Sequence, residues 1–395
     1  MSATGAWDFH NPVRIVGGTG SVAQVGALAA ELDGGRCERV VLVSSHGARA
    51  RGDLDGALES LPESIAVEHV VIGANPGVDE VDRLLGDLRA GAPACVVAIG
   101  GGSTMDTAKV LAVGLATPDF TVRGHLEAGA SLPGARRPLV CVPTTAGTGS
   151  EVTPFATVWD GPIKCSVSGE AVYPDVAVLD AALTIGLPRD VTVSTGLDAL
   201  TQGLEAMWGR RPTPVTDAIA SRAVAVGLDT LGRVVAAPGD LALRAAMLDV
   251  SMLAGLAISH TRTALSHSIS YPLTGRYGVP HGLACAFSLP DVFRFNCAAH
   301  PERFAVIAAA VGAPDAAALL ARVEDLLAEL DVAGHLAPYF DGRAHPGSVA
   351  GEMLTPGRAD NNLATATTDD VRRIVDAAVD RWGLPVARDE VDVAR

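Results

Sequence analysis

Several absences narrow what this chain can be. None of its 395 residues falls in an apolar run that reads as long and clean enough to span a bilayer. The opening stretch, MSATGAWDFHNPVRIVGG, has neither the basic n-region nor the apolar core of a signal peptide, so a cytoplasmic protein is expected. The six cysteines (Cys37, Cys95, Cys141, Cys165, Cys285 and Cys297) include no CxxC pair, and several sit in apolar runs such as PLVCVPTT. That argues against a disulfide framework or a cysteine zinc site and for buried, reduced thiols. Positive charge is scarce: 30 Lys and Arg against 45 Asp and Glu give a net charge of −15. Such a surface repels a phosphate backbone, so no nucleic-acid partner is expected. An anionic small substrate stays open only if its site carries local cations. No internal repeat and no low-complexity segment occurs.

What is present is globular: 48% hydrophobic and 19% charged residues, in a chain long enough for two cored domains. The first part alternates β-branched runs (RVVLVSS, VEHVVIG, ACVVAIGGGS, RPLVCVPTT, DVAVLD) with helical patterns, which implies a parallel, helix-covered sheet. From Asp190 onward strand signals nearly vanish and apolar residues recur at helical spacing. The expected organisation is an α/β domain over 1–186 and an all-helical domain of seven to nine helices over 187–395. TTDDVRRIVDAAVDRWG reads as a late helix capped by Thr367 or Thr368, with acids in its first turn and Gly383 past its end.

Two loops point to a nucleotide. Gly100, Gly101, Gly102 and Ser103 lie between a buried strand and a helix, where glycine permits close backbone approach and the helix start favours a diphosphate. This is not the GxGxxG pattern, and a tight strand-to-helix turn is the alternative reading. The second loop, VPTTAGTGSEVT, supplies Thr144, Thr145, Thr148 and Ser150, again after a strand. Two such loops on one parallel sheet converge on one crevice. A third position, Ser45 at the end of VVLVS, stands where an acid would hold a ribose 2′-hydroxyl. With His46, Arg49 and Arg51 behind it, Ser45 suits a 2′-phosphate, so NADPH is expected over NADH.

In GLDALTQGLEAMWG, Asp198 and Gln202 are four apart and share a helix face. His267 lies on a second helix, which Pro272 and Gly275 weaken, and GVPHG brings His281 back across a turn. A carboxylate and imidazoles suit Fe(II) or Zn(II), although isolated histidines are more often core or surface residues.

Taken together, GGGSTMDTAK, PTTAGTGSEVT, GLDALTQGLEA and the stretch from His267 to PHG resemble the iron-containing (group III) alcohol dehydrogenase family, in order and spacing over essentially the whole chain. The resemblance implies a Rossmann-like domain, a helical domain, NAD(P) and one divalent metal in the cleft between them. It implies Asp198, His267 and His281 as metal ligands. Gln202 departs from the pattern, standing where a histidine is usual: it is a weak fourth ligand, a hydrogen-bonding partner of a metal-bound water or the substrate, or the mark of a chain that has lost metal and catalysis. Asp106, Lys109 and Lys164 are implied beside the coenzyme ribose or substrate, Asp106 and Lys164 with catalytic parts. Tyr271 replaces a histidine suggested for a proton relay, and either passes a proton or shapes the pocket.

The expected reaction is reduction of an aldehyde to a primary alcohol. Arg262 and Arg276, near the metal motif, favour an anionic aldehyde, and His260 is a further unusual residue there. SHTRTALSHSISYPLT with Gln202 resembles the branch acting on phosphonoacetaldehyde, which would give 2-hydroxyethylphosphonate. Other readings are a general alcohol dehydrogenase, a maleylacetate-type reductase, a dehydroquinate-synthase-like lyase and a non-catalytic nucleotide-binding protein. A homodimer is expected, with no membrane partner.

Overall fold

The computed structural model describes residues 6–35, 37–129 and 131–387. These form two compact units: Met1–Phe9, Arg189–Ala236 and His260–Arg395 in one, His10–Pro188 and Ala237–Ser259 in the other. The sheet-bearing unit therefore takes in a later segment of chain as well as the N-terminal part.

In the sheet unit, eight strands appear in chain order: β1 (Arg14–Gly17), β2 (Arg39–Ser45), β3 (Ala66–Ile72), β4 (Cys95–Gly100), β5 (Leu139–Pro143), β6 (Phe155–Asp160), β7 (Ile163–Ser168) and β8 (Val176–Leu179). Six of them build a parallel sheet in the order β1-β8-β5-β4-β2-β3. β4, β5 and β8 are buried along their whole length, as their continuous apolar runs require. The helices here are α1 (Val25–Leu32), α2 (His46–Arg51), α3 (Asp55–Ser60), α4 (Val78–Arg89), α5 (Gly102–Ala116) and α6 (Val122–Ala128). Two apolar clusters fill the two faces of the sheet.

Five of the eight strands were legible in sequence. β1 was not, because it is a four-residue edge strand with little burial to imprint a pattern. β6 and β7 form an antiparallel hairpin outside the parallel sheet, turning through Gly161 at φ 58° and Pro162. The Asp-Gly pair at 160–161 was the signal for it.

The remaining helices are α7 (Arg189–Trp208), α8 (Pro214–Ala236), α9 (Leu241–Thr261), α10 (Leu265–Tyr277), α11 (His281–Ala299), α12 (Pro301–Val311), α13 (Ala316–Glu329), α14 (Val332–Phe340) and α15 (Thr368–Trp382). α15 has the expected capping box from Thr367 and ends at Gly383 in the left-handed region. Two expectations need correction. α9 is, by length and composition, apolar enough to cross a membrane, contrary to the reading that no run is; 56% of its most apolar window is buried inside the protein. It is a core helix, and its Gly255 lies so close to Gly149 that a Cβ there would sit 2.8 Å from the Gly149 backbone. α10, secondly, does not weaken at Pro272 or Gly275 but runs through both to Tyr277. Nearly every residue of that helix is buried, and packing outweighs the proline's missing N–H.

Close helix approach in the helical unit is set by glycine. Gly196 and Gly203 of α7 face Leu231 and Val224 of α8. Gly282 of α11 is tighter: a Cβ would fall 1.7 Å from the Ser194 carbonyl oxygen of α7 and 3.1 Å from Asp198 Cβ. Replacing Gly282 with Ala should therefore push α11 off α7, costing about 1–3 kcal/mol or more in denaturant unfolding and separating Asp198 from His281. Unchanged stability would show that the helices can slide without cost.

Candidate functional site

The helical unit builds a cluster of metal-donor groups. Asp198, Gln202 and Glu205 sit at i, i+4 and i+7 on α7, and all three are buried. His267 lies in the first turn of α10, and His281 is the first residue of α11, after Pro280. His267 Nε2 is 3.2 Å from Asp198 Oδ1, and its Nδ1 is 2.7 Å from Glu205 Oε2. The His267 and His281 rings meet edge to face, centroids 5.5 Å apart. One donor atom each from Asp198, His267, His281 and Cys285 lies within 4.8 Å of the others. Sequence reasoning had set the cysteines aside as inert; Cys285, four residues after His281 on the same helix face, is the exception.

Glu205 was missed as well. Its carboxylate accepts from the backbone N–H groups of Ala264 (2.7 Å), Ser266 (2.6 Å) and His267 (3.3 Å) and also binds the His267 ring. Ala264, the residue at the start of α10, offers no side-chain cap. One buried carboxylate from α7 thus caps α10 and fixes the His267 tautomer with Nδ1 as donor. Nε2 then faces Asp198 Oδ1 at 3.2 Å, a place that a proton fills when the ring is an imidazolium and that a divalent ion can take in its stead. Burial alone pulls the His267 imidazole down, but Cys285, Glu205 and Asp198 outweigh it and hold it well above its ordinary value. Burial pushes the Cys285 thiol up.

Gln202 donates from Nε2 to Asp198 Oδ1 at 3.1 Å, while its Oε1 is buried without a hydrogen-bond partner. A buried acceptor left unsatisfied beside a carboxylate and two imidazoles fits a divalent ion or its bound substrate. The donor set therefore fits the expected metal, with Glu205 as outer-shell support.

In the sheet unit, the nucleotide residues gather at the carboxyl edge of three adjacent strands, β5, β4 and β2. Gly100 ends β4, and Thr144 N donates to its carbonyl at 2.9 Å. A Cβ on Gly101 would meet Thr145 Oγ1 at 3.2 Å, and one on Gly102 would meet Thr148 Cγ2 at 2.6 Å. The two loops face each other, and glycine keeps the backbone between them uncovered. Gly101 starts α5 with no side-chain cap, as a diphosphate site requires. Ser45 ends β2 where the strand order reverses, between β4 and β3, the usual crevice of such sheets.

Other expected residues are placed differently. Asp106 accepts from Ser150 Oγ (2.6 Å) and Thr157 N (2.8 Å), so it ties the second loop and the hairpin to α5. Lys109 is neither surface nor crevice: it is fully buried, donating to the Thr153 and Phe155 carbonyls at 2.9 and 2.7 Å, and burial lowers it. Lys164, the only other lysine in the chain, lies half-buried on β7 opposite Trp159. Glu151, also missed, is fully buried, and burial raises its carboxyl to about 7. Ser45 Oγ accepts from Ala48 N as the cap of α2. Arg51 is bound to Asp53 at 2.5 Å, so of the two expected cations only Arg49 stays exposed.

Around the metal cluster, Arg276 is corrected as a substrate cation: it is exposed and paired with Glu352 through two 2.8 Å bonds. His260 stacks on Phe9 at 4.3 Å. Arg262 is half-buried, at φ 62°, in the turn between α9 and α10. Burial lowers its guanidinium, as do Arg358 and Arg211 nearby, against Asp360. Arg358, which no sequence signal marked, donates to the Tyr271 hydroxyl at 3.1 Å, and the Tyr271 ring lies 6.2 Å from the His281 ring.

Glycine loops at the carboxyl edge of a parallel sheet and a carboxylate–imidazole cluster on a helical unit fit a metal-dependent, nucleotide-linked enzyme. Residues 12–181 match the model of the iron-containing alcohol dehydrogenase domain and residues 192–379 that of the family's C-terminal domain. The chain belongs to the iron-containing alcohol dehydrogenase family and is an NAD(P)-dependent alcohol dehydrogenase or aldehyde reductase. It is 36% identical over 307 residues to the protein named "Probable alcohol dehydrogenase EutG" of Escherichia coli (strain K12), 77% of each chain. It is 37% identical over 318 residues to phosphonoacetaldehyde reductase of Streptomyces viridochromogenes, 75% of this chain and 79% of that protein. The crystal structure of sulfoacetaldehyde reductase from Bifidobacterium kashiwanohense in complex with NAD+ superposes with a TM-score of 0.84 at 28% identity, covering 95% of this chain and 99% of that one.

Glu205→Gln keeps the shape but weakens the anchor on His267 Nδ1. It should lower affinity for a divalent ion by about 10–100-fold, read by calorimetric titration of the metal-stripped protein. An unchanged affinity would mean that Glu205 serves only the helix cap.

Proposed function

We propose that this enzyme reduces phosphonoacetaldehyde to 2-hydroxyethylphosphonate, using NADPH and one divalent ion, Fe(II) or Zn(II), held by Asp198, His267 and His281. The observation that carries the substrate class is the half-buried Arg262, whose guanidinium is lowered first by burial and then by Arg358 and Arg211, with Asp360 opposing them, in a chain of net charge −15. A bound anion would add to the relief that Asp360 gives this repulsion. The resemblance to a phosphonoacetaldehyde reductase and a sulfoacetaldehyde reductase supports the same class.

When bound, the ion supplies Lewis acidity toward a carbonyl oxygen, and the coenzyme supplies the hydride. The chain's own residues do the rest. Arg262 and Arg358 bind the anionic head group through charge-assisted hydrogen bonds and so aim the short aldehyde. Glu205 holds His267 in the tautomer that presents Nε2. Tyr271 steadies Arg358 through its oxygen, and its hydroxyl is the protein group assigned to proton delivery. The glycine loops hold the diphosphate by backbone N–H groups, and Asp106 fixes the second loop through Ser150.

An aldehyde panel with both coenzymes tests the substrate. The phosphonylated aldehyde should have the highest kcat/KM, and a neutral aldehyde of similar length winning would overturn the reading. Arg262→Ala should cost about 2–4 kcal/mol for the anionic aldehyde, roughly 30- to several-hundred-fold in kcat/KM, and leave a neutral one nearly unchanged, whereas Arg358→Ala, which also frees the Tyr271 hydroxyl, should cost the anionic aldehyde more than the neutral one. Equal loss on both substrates would make the arginines structural. For the coenzyme, Ser45→Asp is a clean probe because aspartate caps a helix as well as serine does. It should fold normally and shift preference toward NADH by about tenfold or more, near 1.4 kcal/mol; an unmodified enzyme already preferring NADH by that factor would remove the 2′-phosphate argument.

A further inference from the structure

The family's ligand pattern and this chain's donor atoms do not coincide. Position 202 carries an amide, and that amide turns its nitrogen, a hydrogen-bond donor, onto Asp198 Oδ1 at 3.1 Å. Among the His, Cys, Asp and Glu side chains of the described residues, Asp198, His267, His281 and Cys285 bring one donor atom each within 4.8 Å of the others. The Cys285 side chain is fully buried on α11, one turn after His281, with Sγ 3.9 Å from each ring nitrogen of that histidine. The buried, partnerless Gln202 Oε1 marks the same locality as built for a ligand.

We propose that Cys285, as the thiolate, is the fourth protein ligand of the divalent ion, replacing the imidazole that position 202 lacks, while Gln202 positions Asp198 by hydrogen bond. On binding, the S–H bond breaks, its proton leaves to the buffer and a sulfur–metal bond forms; nothing is oxidised or reduced. Asp198 and Cys285 then balance the ion's two charges. Two imidazoles, a carboxylate and a thiolate make a softer set than one with imidazole at 202, and that favours Zn(II). The inference rests on the metal reading above and deepens it.

The test uses the full chain loaded with one equivalent of Co(II). Unmodified protein and Gln202→Ala should both show a near-ultraviolet sulfur-to-cobalt charge-transfer band, and Cys285→Ser should lose it. The affinity of Cys285→Ser for Co(II) should fall beyond the roughly 10–100-fold that loss of an outer-shell partner brings. X-ray absorption on the unmodified Zn(II) protein needs no variant and should find one sulfur at about 2.3 Å. Cobalt bound with visible ligand-field bands but no charge-transfer band, or a zinc shell of nitrogen and oxygen alone, overturns the thiolate and leaves the metal centre standing. Failure to bind either ion overturns both readings. A band that persists in Cys285→Ser assigns the sulfur elsewhere and also overturns the proposal.

Discussion

The arrangement depends on one buried carboxylate. Glu205 accepts three backbone N–H groups at the start of α10 and the ring N–H of His267. An uncompensated carboxylate at that depth would be very costly, and the four donors are what make it tolerable. The same bonds that satisfy Glu205 bring α10 to α7, begin α10 at the right residue and turn His267 Nε2 toward Asp198. Helix start, helix contact and ligand orientation are one interaction.

Around that anchor, small residues set how near the donors come. Gly282 brings α11 against the Ser194 carbonyl and so places His281 beside Asp198. In the sheet unit the same device appears where Gly101 and Gly102 keep α5 and the Thr145–Thr148 loop close, and where Gly149 meets Gly255. Asp106 and Lys109 belong to this supporting structure: each ties α5 to the segment from Ser150 to Thr157 by hydrogen bonds.

The arginines named above differ in their electrostatic surroundings. Arg276 and Arg51 have carboxylate partners, Glu352 and Asp53, and those pairs are structural or surface features. Arg262 feels Arg358 and Arg211 on one side and Asp360 on the other, and stands on a backbone conformation that non-glycine residues seldom adopt.

The sequence by itself determined the two-part architecture, because buried parallel strands and amphipathic helices write their periods directly into the chain. It also determined the glycine loops and the face shared by Asp198 and Gln202, since helix spacing is local. It did not reveal β1, whose exposure leaves no pattern, and it misjudged α10, where burial overrides Pro272. Glu205 and Cys285 were legible in principle, at i+7 from Asp198 and i+4 from His281, but nothing local distinguishes them from other buried residues. Only the tertiary structure decided that Lys109 is interior, that Arg276 is already paired, and that Arg358, nearly a hundred residues along the chain from Arg262, stands near it. Those are facts of long-range proximity: a side chain's role follows from what the fold sets against it, and residue spacing along the chain does not encode that.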